Sequence, residues 1–400
     1  MKPLRLRARP SLSPLSSGRP TSVKWPATMK TRSFLSILLF LSIAQLLVAQ
    51  DPPSSPAWKR VQHLRRGINA SEWFAQSHDY SVQRLSTYTT LEDIALMHKL
   101  GFDHVRLSID PAIFECNGPW QNCERVKALD EVVAKAVGEE LAIIVDLHPN
   151  GEFKRQLATD SSAAEKFRLL WGDIASHFAS TNPELVMFEI LNEPEDRDVY
   201  HWSGIEARTI EEIRRKAPKH TIIVAGARYS AIGELILLPQ FSDDNLIFNF
   251  HYYEPHLFTH QGASWGVPFW INLRDVPYPL TPESVQKPIA EQDDVLAKWE
   301  LTEASLGHWD QNRIATEIRF VAEWAKEHHA PLTCNEFGVY RNFSHPEYRA
   351  RWIEDVRSAL EQNHIGWTMW DYRGGFGVVT KTNGTTVPDA DILRALGLQR

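Results

Sequence analysis

Cysteine is scarce in this 400-residue chain, with three in all. So few exclude a small scaffold stapled by disulfides, and no Cys-x-x-Cys or Cys/His spacing offers a structural zinc site. An excess of positive charge is also missing. Lys and Arg number 43 against 50 Asp and Glu, a net charge of −7. Such a mildly acidic chain is a poor candidate for binding nucleic acid or an anionic membrane. No glycine-rich phosphate loop follows any apolar run, which disfavours a nucleotide-binding fold. No apolar run reaches the roughly 20 residues needed to span a bilayer. After residue 60 no linker, repeat or low-complexity tract marks a second module.

What is present begins with tryptophan, 14 of them. Flat indole faces stack on sugar rings, although they fill cores equally well. Residues 1–28 are rich in Arg, Ser and Pro, contain no acidic residue and show no apolar period, so they read as a non-structural upstream extension. Met29-Lys30-Thr31-Arg32 then opens an uncharged run from Phe34 to Val48, followed by Ala49-Gln50-Asp51. A basic start, a short apolar stretch and a small-residue end form a signal peptide over 29–49. An uncleaved N-terminal anchor is the competing reading. Residues 50–60 form a Pro-rich linker. The protein is therefore expected to be secreted or periplasmic, free of the membrane once the signal is cut, and monomeric. Cys116 and Cys123 bracket a turn-rich loop that a disulfide could close in an oxidising compartment, whereas Cys334 sits in an apolar run as a buried thiol.

From residue 61 to 400 short apolar runs alternate with amphipathic stretches. Strands are predicted at Leu64–Asn69, His104–Ser108, Leu141–Leu147, Leu185–Leu191, Thr221–Ala225, Leu246–His251, Pro331–Glu336 and Gly366–Trp370. Helices are predicted at Thr90–Leu100, Leu129–Glu139, Ser162–Ser180, Gly204–Ala217, Arg313–His329, Pro346–Gln362 and Asp389–Leu396. Thr90 with Asp93 has the capping-box form. Runs such as Ala142-Ile143-Ile144-Val145 are apolar on both faces, as buried parallel strands require. Eight strand–helix units fit a closed α/β (β/α)8 barrel better than an open sheet. The segment 256–310 shows no clear unit and reads as a long loop over the C-terminal face.

Active sites of such barrels collect at the C-terminal ends of the strands. The predicted strand ends carry Asn69, Arg106, His148, Asn192 with Glu193, His251 with Tyr253, Glu336 and Trp370; only the fifth strand ends without such a residue. Glu193 and Glu336 lie at the mouths of strands four and seven, on opposite sides of the barrel. Glycosidic hydrolysis needs two carboxyl groups, one to protonate the leaving oxygen and one to attack or to activate water. Asp146, Glu189 and Glu195 compete for these roles, with Asp371 and Glu254 as weaker alternates. Glu189 could face either the barrel interior or the helical layer, and Asp146 reads as a buried supporting acid. A metal-dependent hydrolase would need ligands such as His-x-His at a strand end, which are lacking, so no metal or cofactor is expected.

With these residues in place, the chain from about 60 to 400 resembles glycoside hydrolase family 5, the cellulase family. The matching pieces are Arg65-Arg66-Gly67-Ile68-Asn69, His104-Val105-Arg106, Asp146-Leu147-His148, Leu191-Asn192-Glu193-Pro194, His251-Tyr252-Tyr253, Asn335-Glu336-Phe337-Gly338 and Met369-Trp370. The resemblance implies a retaining β-glycosidase acting on a polysaccharide or oligosaccharide, with endo-β-1,4-glucanase first, β-mannanase or another β-glucanase behind it. Glu193 would be the acid/base, with a raised pKa, and Glu336 the ionised nucleophile beside Arg106. Asn192 would bind the sugar 2-hydroxyl, Tyr253 would orient Glu336, His148 and His251 would line the cleaved-sugar subsite, and Trp370 would be its stacking platform. Trp73, Trp202 and Trp265 would flank further subsites. Some members carry a second polar or aromatic residue directly after the strand-three His, whereas Pro149-Asn150 follows here. The reading of a different class, an inactive carbohydrate-binding barrel, is expected to lack one glutamate, and both are present.

Overall fold

A computed structural model describes residues 55–398. The upstream extension, the signal peptide and residues 50–54 of the linker lie outside the described residues. Eight parallel strands close into one barrel in sequence order. They are β1 (Arg66–Phe74), β2 (His104–Ile109), β3 (Ala142–Leu147), β4 (Val186–Glu189), β5 (Ile222–Ala225), β6 (Leu246–Tyr252), β7 (Leu332–Phe337) and β8 (Gly366–Met369). The barrel closes through β8 against β1, where Trp367 pairs with Arg66 and Met369 with Ile68. The outer layer holds α1 (Leu91–Lys99), α2 (Glu124–Gly138), α3 (Ser161–Phe178), α4 (Val199–Lys216), α5 (Gln311–Glu327), α6 (Pro346–Gln362) and α7 (Ala390–Ala395). None of the described helices is long and apolar enough to cross a membrane.

Period-two alternation explains what fills the barrel. Ile144, Met187, Ile223 and Ile247 point inward and form an apolar lower layer, joined by Ala57, Val61 and Leu64 from the segment that enters below. Two residues further along three of these strands stand Asp146, Glu189 and Asn249, all buried. The same step therefore carries the interior from an apolar floor to a polar layer beneath the C-terminal mouth. Glu189, open in direction from sequence, faces that interior.

Capping explains where several helices start. Thr90 and Asp93 form the expected reciprocal box at α1. The Asp198 side chain accepts from Tyr200 N at 2.9 Å and His201 N at 3.3 Å, which starts α4 five residues before the apolar period becomes visible at Gly204. Asn150 accepts from Phe153 N at 3.0 Å and caps a helix, Gly151–Thr159, that periodicity does not reveal. Between β5 and β6 lie only two four-residue helical segments, Ala227–Ser230 and Ile232–Leu235.

Two strand ends differ from expectation. β1 runs on to Phe74 because Ala70 and Phe74 still pair with Leu107 and Ile109 across a bulge, so Asn69 lies inside the barrel rather than at its rim. β4 stops at Glu189, so Asn192 and Glu193 stand on the loop after it. The segment 256–310 is more ordered than a loop. Leu280 and Trp309 pair backbone to backbone, and Tyr278 OH donates to Asp355 Oδ2 on α6 at 2.7 Å. It also contains a helix, Val295–Leu306, capped by Asp294. Ala297, Leu301 and Ser305 are buried while Val295, Trp299 and Leu306 are exposed. Apolar residues on both faces hide the helical period.

After β8 a hairpin of β9 (Val379–Thr382) and β10 (Thr385–Pro388) turns at Asn383-Gly384, both at positive φ as such tight hairpins need. Lys381 Nζ ties it to Asp93 Oδ2 of α1 at 2.6 Å. Cys116 and Cys123 are joined by a disulfide, and Cys334 is a buried free thiol.

Candidate active site

Arg106 organises the mouth. It is fully buried on β2, and its guanidinium reaches five side chains. Nε and Nη2 fork onto Glu189 at 2.9 and 2.8 Å. Nη1 donates to Asn69 Oδ1 at 2.9 Å and Glu336 Oε1 at 2.7 Å. Nη2 also donates to Asn192 Oδ1 at 3.0 Å and lies 3.1 Å from Asp146 Oδ2. A planar fork of five N–H groups is the one side chain able to do this. Glu189 is held from the other side by Asn335 Nδ2 at 2.6 Å and Asn249 Nδ2 at 3.3 Å. It is a buried anchor for Arg106. Asn69, also buried, gives its amide to the carbonyls of Asn335 at 2.9 Å and Met369 at 3.3 Å; every polar atom faces protein.

Glu336 sits at the end of β7 with both oxygens occupied. Oε1 accepts from Arg106, and Oε2 accepts from Tyr253 OH at 2.9 Å. Burial, then the charge of Glu336, pushes the Tyr253 phenol well above its usual range, so it remains a donor. Across the mouth Glu193 Oε1 meets His251 Nδ1 at 3.0 Å. The same His251 nitrogen is 3.6 Å from Glu336 Oε2. One oxygen of each glutamate and one ring nitrogen of His251 all lie within 4.8 Å of one another. That spacing alone could admit a cation. The Arg106 guanidinium already on Glu336 opposes one electrostatically.

Glu193 holds a left-handed backbone, φ 47°, immediately before Pro194. A non-glycine residue there is strained by about 1 kcal/mol, a cost found where geometry at a site overrides local preference. Its electrostatics correct the expectation of a raised pKa. Burial pushes the carboxyl up, but the hydrogen bond from His251 and its charge outweigh that and hold it below the usual range. His251 is raised in turn. Burial lowers it, and Glu336 and Glu193 more than compensate. The two groups titrate as one unit, with the proton resting on His251 Nδ1.

His148 follows β3. Burial lowers its pKa to about 3, so the ring is neutral. Nδ1 donates to Asp146 Oδ2 at 2.9 Å, which leaves Nε2 to accept from Asn192 Nδ2 at 3.1 Å. One amide hydrogen of Asn192 remains for a ligand. Asp146 is pushed by burial to about 6, with Arg106 pulling it back. Trp370, 8% exposed, stacks on His148 with ring centres 5.6 Å apart.

The structure thus brings Arg106, His148, Asn192, Glu193, His251, Tyr253, Glu336 and Trp370 together, with Asn69 beneath them. The outlying tryptophans divide. Trp73 and Trp202 are 2% and 1% exposed and donate to the carbonyls of Leu85 and Ala225. They are core residues and flank no subsite, because α-layer packing claims the whole indole. Trp265 is 47% exposed and meets Tyr340 edge-on at 4.9 Å, with Phe376 beyond. Phe376 lies 6.1 Å from Tyr253. An aromatic wall therefore runs outward from the carboxyl pair. Tyr340 and Phe376 were not expected, because they lie on loops past the strand ends. Glu195 and Glu254 turn to Arg155 at 3.6 Å and His256 at 3.1 Å, away from the pair. A cavity of about 1160 Å³ opens at the opposite barrel end near Trp58, Phe241 and Trp324; it holds neither glutamate.

The model of a family described as cellulase, glycosyl hydrolase family 5, matches residues 66–375. Endoglucanase C of Acetivibrio thermocellus is 27% identical over 319 residues, covering 78% of this chain and 91% of that protein. Cellodextrinase A of Ruminococcus flavefaciens is 34% identical over 208 residues, 50% of this chain and 61% of that protein. Among solved structures, Cel5A of Thermotoga maritima with cellobiose is similar with a TM-score of 0.67 and 26% identity, covering 85% of this chain and 99% of that one.

Proposed function

The chain belongs to glycosyl hydrolase family 5, the cellulase family, and on that premise we propose that it is an endo-β-1,4-glucanase that cleaves by double displacement with retention. The observation that carries this is the carboxyl pair, whose facing atoms lie within 4.8 Å across one mouth. Retaining enzymes hold their carboxyl groups about 5 Å apart, while inverting ones leave room for a water between them.

Glu336 is the nucleophile in this reading. Both its oxygens are oriented by Arg106 and Tyr253, so attack on the anomeric carbon needs no reorganisation. Glu193 is the acid/base. Its proton is drawn from the unit it forms with His251, moving to Glu193 as the leaving oxygen develops charge and returning when water attacks the glycosyl-enzyme. Asn192 offers its free amide hydrogen to the 2-hydroxyl. Trp370 supports the ring being cleaved, and the wall of Phe376, Tyr340 and Trp265 supports neighbouring rings, as a polymer substrate requires. Relatives named endoglucanases favour β-1,4-glucan. A β-mannan is the second reading, since Cel5A of Thermotoga maritima was also solved with mannotriose. Secretion fits the basic–apolar segment 29–49.

Glu193→Ala is the test. Hydrolysis of carboxymethylcellulose should fall by about 10²–10⁴-fold, the usual worth of a positioned acid. Formation of the glycosyl-enzyme from a dinitrophenyl cellobioside, whose leaving group needs no proton, should stay fast and show as a burst. An equal loss on both substrates would contradict the assignment, and faster wild-type turnover of glucomannan than of carboxymethylcellulose would favour the mannan reading.

A further inference from the structure

A second pair of carboxyl groups lies beside the site, between the ends of β1 and β8. Asp371 directly follows Trp370, is 1% exposed, and has no ion-pair partner among the described residues. Its Oδ2 accepts from the Ser71 hydroxyl and from Gly374 N at 3.1 Å. Its Oδ1 is buried with no hydrogen-bond partner. Glu72 converges on it. At the point where a Gly374 Cβ would stand, Asp371 Oδ2 is 2.2 Å away and Glu72 Oε1 2.8 Å. Any side chain at 374 would collide with both, so the glycine is what lets the two carboxyls approach.

The surrounding cations make their hydrogen bonds elsewhere, and only the charge of Arg341, at a distance, pulls Asp371 down. Arg84 donates to the carbonyls of Glu72 and Trp73, and Arg373 to that of Tyr88. Arg341 donates to the carbonyl of Val379 at 3.1 Å, and Arg349 to that of Phe376 at 2.7 Å. The remaining titratable neighbour is Tyr88, whose hydroxyl donates to Glu72 Oε2. Asp93 shows the contrast. It is nearly as buried, but Lys381, Tyr372 and Thr386 satisfy it, and its pKa is lowered, against its burial, chiefly by the Lys381 hydrogen bond. A buried carboxylate with an orphaned oxygen, no ion pair and a second carboxyl alongside is costly; a neutral acid costs less.

We propose that Asp371 is held as a neutral carboxylic acid and acts as a positioning residue for the Trp370 platform, so that its ionisation beside Glu72 displaces the β8 end and weakens substrate binding. The proposal rests on the reading of Trp370 as a sugar platform. Burial pushes Asp371 up to about 7, with Ser71 opposing and Glu72 adding to the rise. The consequence for stability follows from the sign. In the unfolded chain the group ionises near its ordinary 3.8, so between there and about 7 the unfolded state releases a proton that the folded state keeps. Stability is lost over that window as pH rises, and is constant above it.

Asp371→Asn keeps the shape and removes the titration. The thermal midpoint of the variant minus that of the wild type should grow by several degrees from about pH 4 to about pH 7, then level off. The wild-type KM for cello-oligosaccharides should rise several-fold through neutral pH with little change in kcat, while the variant's KM stays flat. In a Glu72→Gln background the same growth in the midpoint difference should finish at lower pH, because the neighbouring charge is gone. A midpoint difference that is flat or shrinks with pH would overturn the held proton. A growing difference with a variant KM that tracks the wild type would overturn the positioning role. Absence of activity on every β-glucan would defeat the functional reading and leave the melting result standing.

Discussion

Glu336→Ala should abolish turnover, with kcat on carboxymethylcellulose falling on the order of 10⁴-fold or more, as expected when the atom that forms the covalent intermediate is removed. The substitution leaves Arg106 Nη1 and Tyr253 OH aimed at a vacated space, which suits a small anion. Azide should enter it and attack the anomeric carbon from the nucleophile's face. With an activated aryl glycoside as donor, whose leaving group needs little help, the product is a glycosyl azide of inverted configuration. Rates should rise with azide concentration and not with chloride. Turnover of natural polymer near the wild-type rate would contradict the role given to Glu336.

The largest effect on stability should come from Arg106→Met. Methionine fills much of the volume but removes every donor that Asp146, Glu189 and Glu336 now share. Removing one partner from a buried charge network costs about 3–5 kcal/mol, a fall in Tm on the order of 10 °C. Without the guanidinium, Asp146, which burial already raises to about 6 against the pull of Arg106, should hold its proton to higher pH than in the wild type. Its contribution is then lost further as pH rises, so the Tm gap between variant and wild type should widen above about pH 6. Arg106→Lys should recover little, because an ammonium lacks the planar fork that spans Glu189, Asn69 and Glu336. Differential scanning calorimetry across pH checks this. A gap that narrows as pH rises would mean that Arg106 is not what compensates the buried acids.

The barrel was legible because its strands are short, apolar on both faces and regularly spaced, and because alternation fixes which residues turn inward. Arg106, His148 and Glu336 could be placed for that reason. Glu193 was found as an acid beyond a strand, but its left-handed backbone and its shared proton with His251 depend on contacts across 58 residues of sequence. Trp73 and Trp202 misled because an indole in an α-layer and one in a cleft look alike in a string of letters. The helix Val295–Leu306 was hidden by its two apolar faces. Ser71 and Glu72 gave no signal, and Asp371 stood out only as a weaker alternate carboxyl, since what joins the three is a missing side chain at Gly374.

The stereochemistry of the first product tests the central claim most directly. Proton NMR of cellopentaose hydrolysis, recorded before mutarotation is complete, separates the two anomers at the new reducing end. Two displacements, by Glu336 and then by water activated at Glu193, place the β-anomer first. Appearance of the α-anomer first would show single-step inversion and would contradict the mechanism.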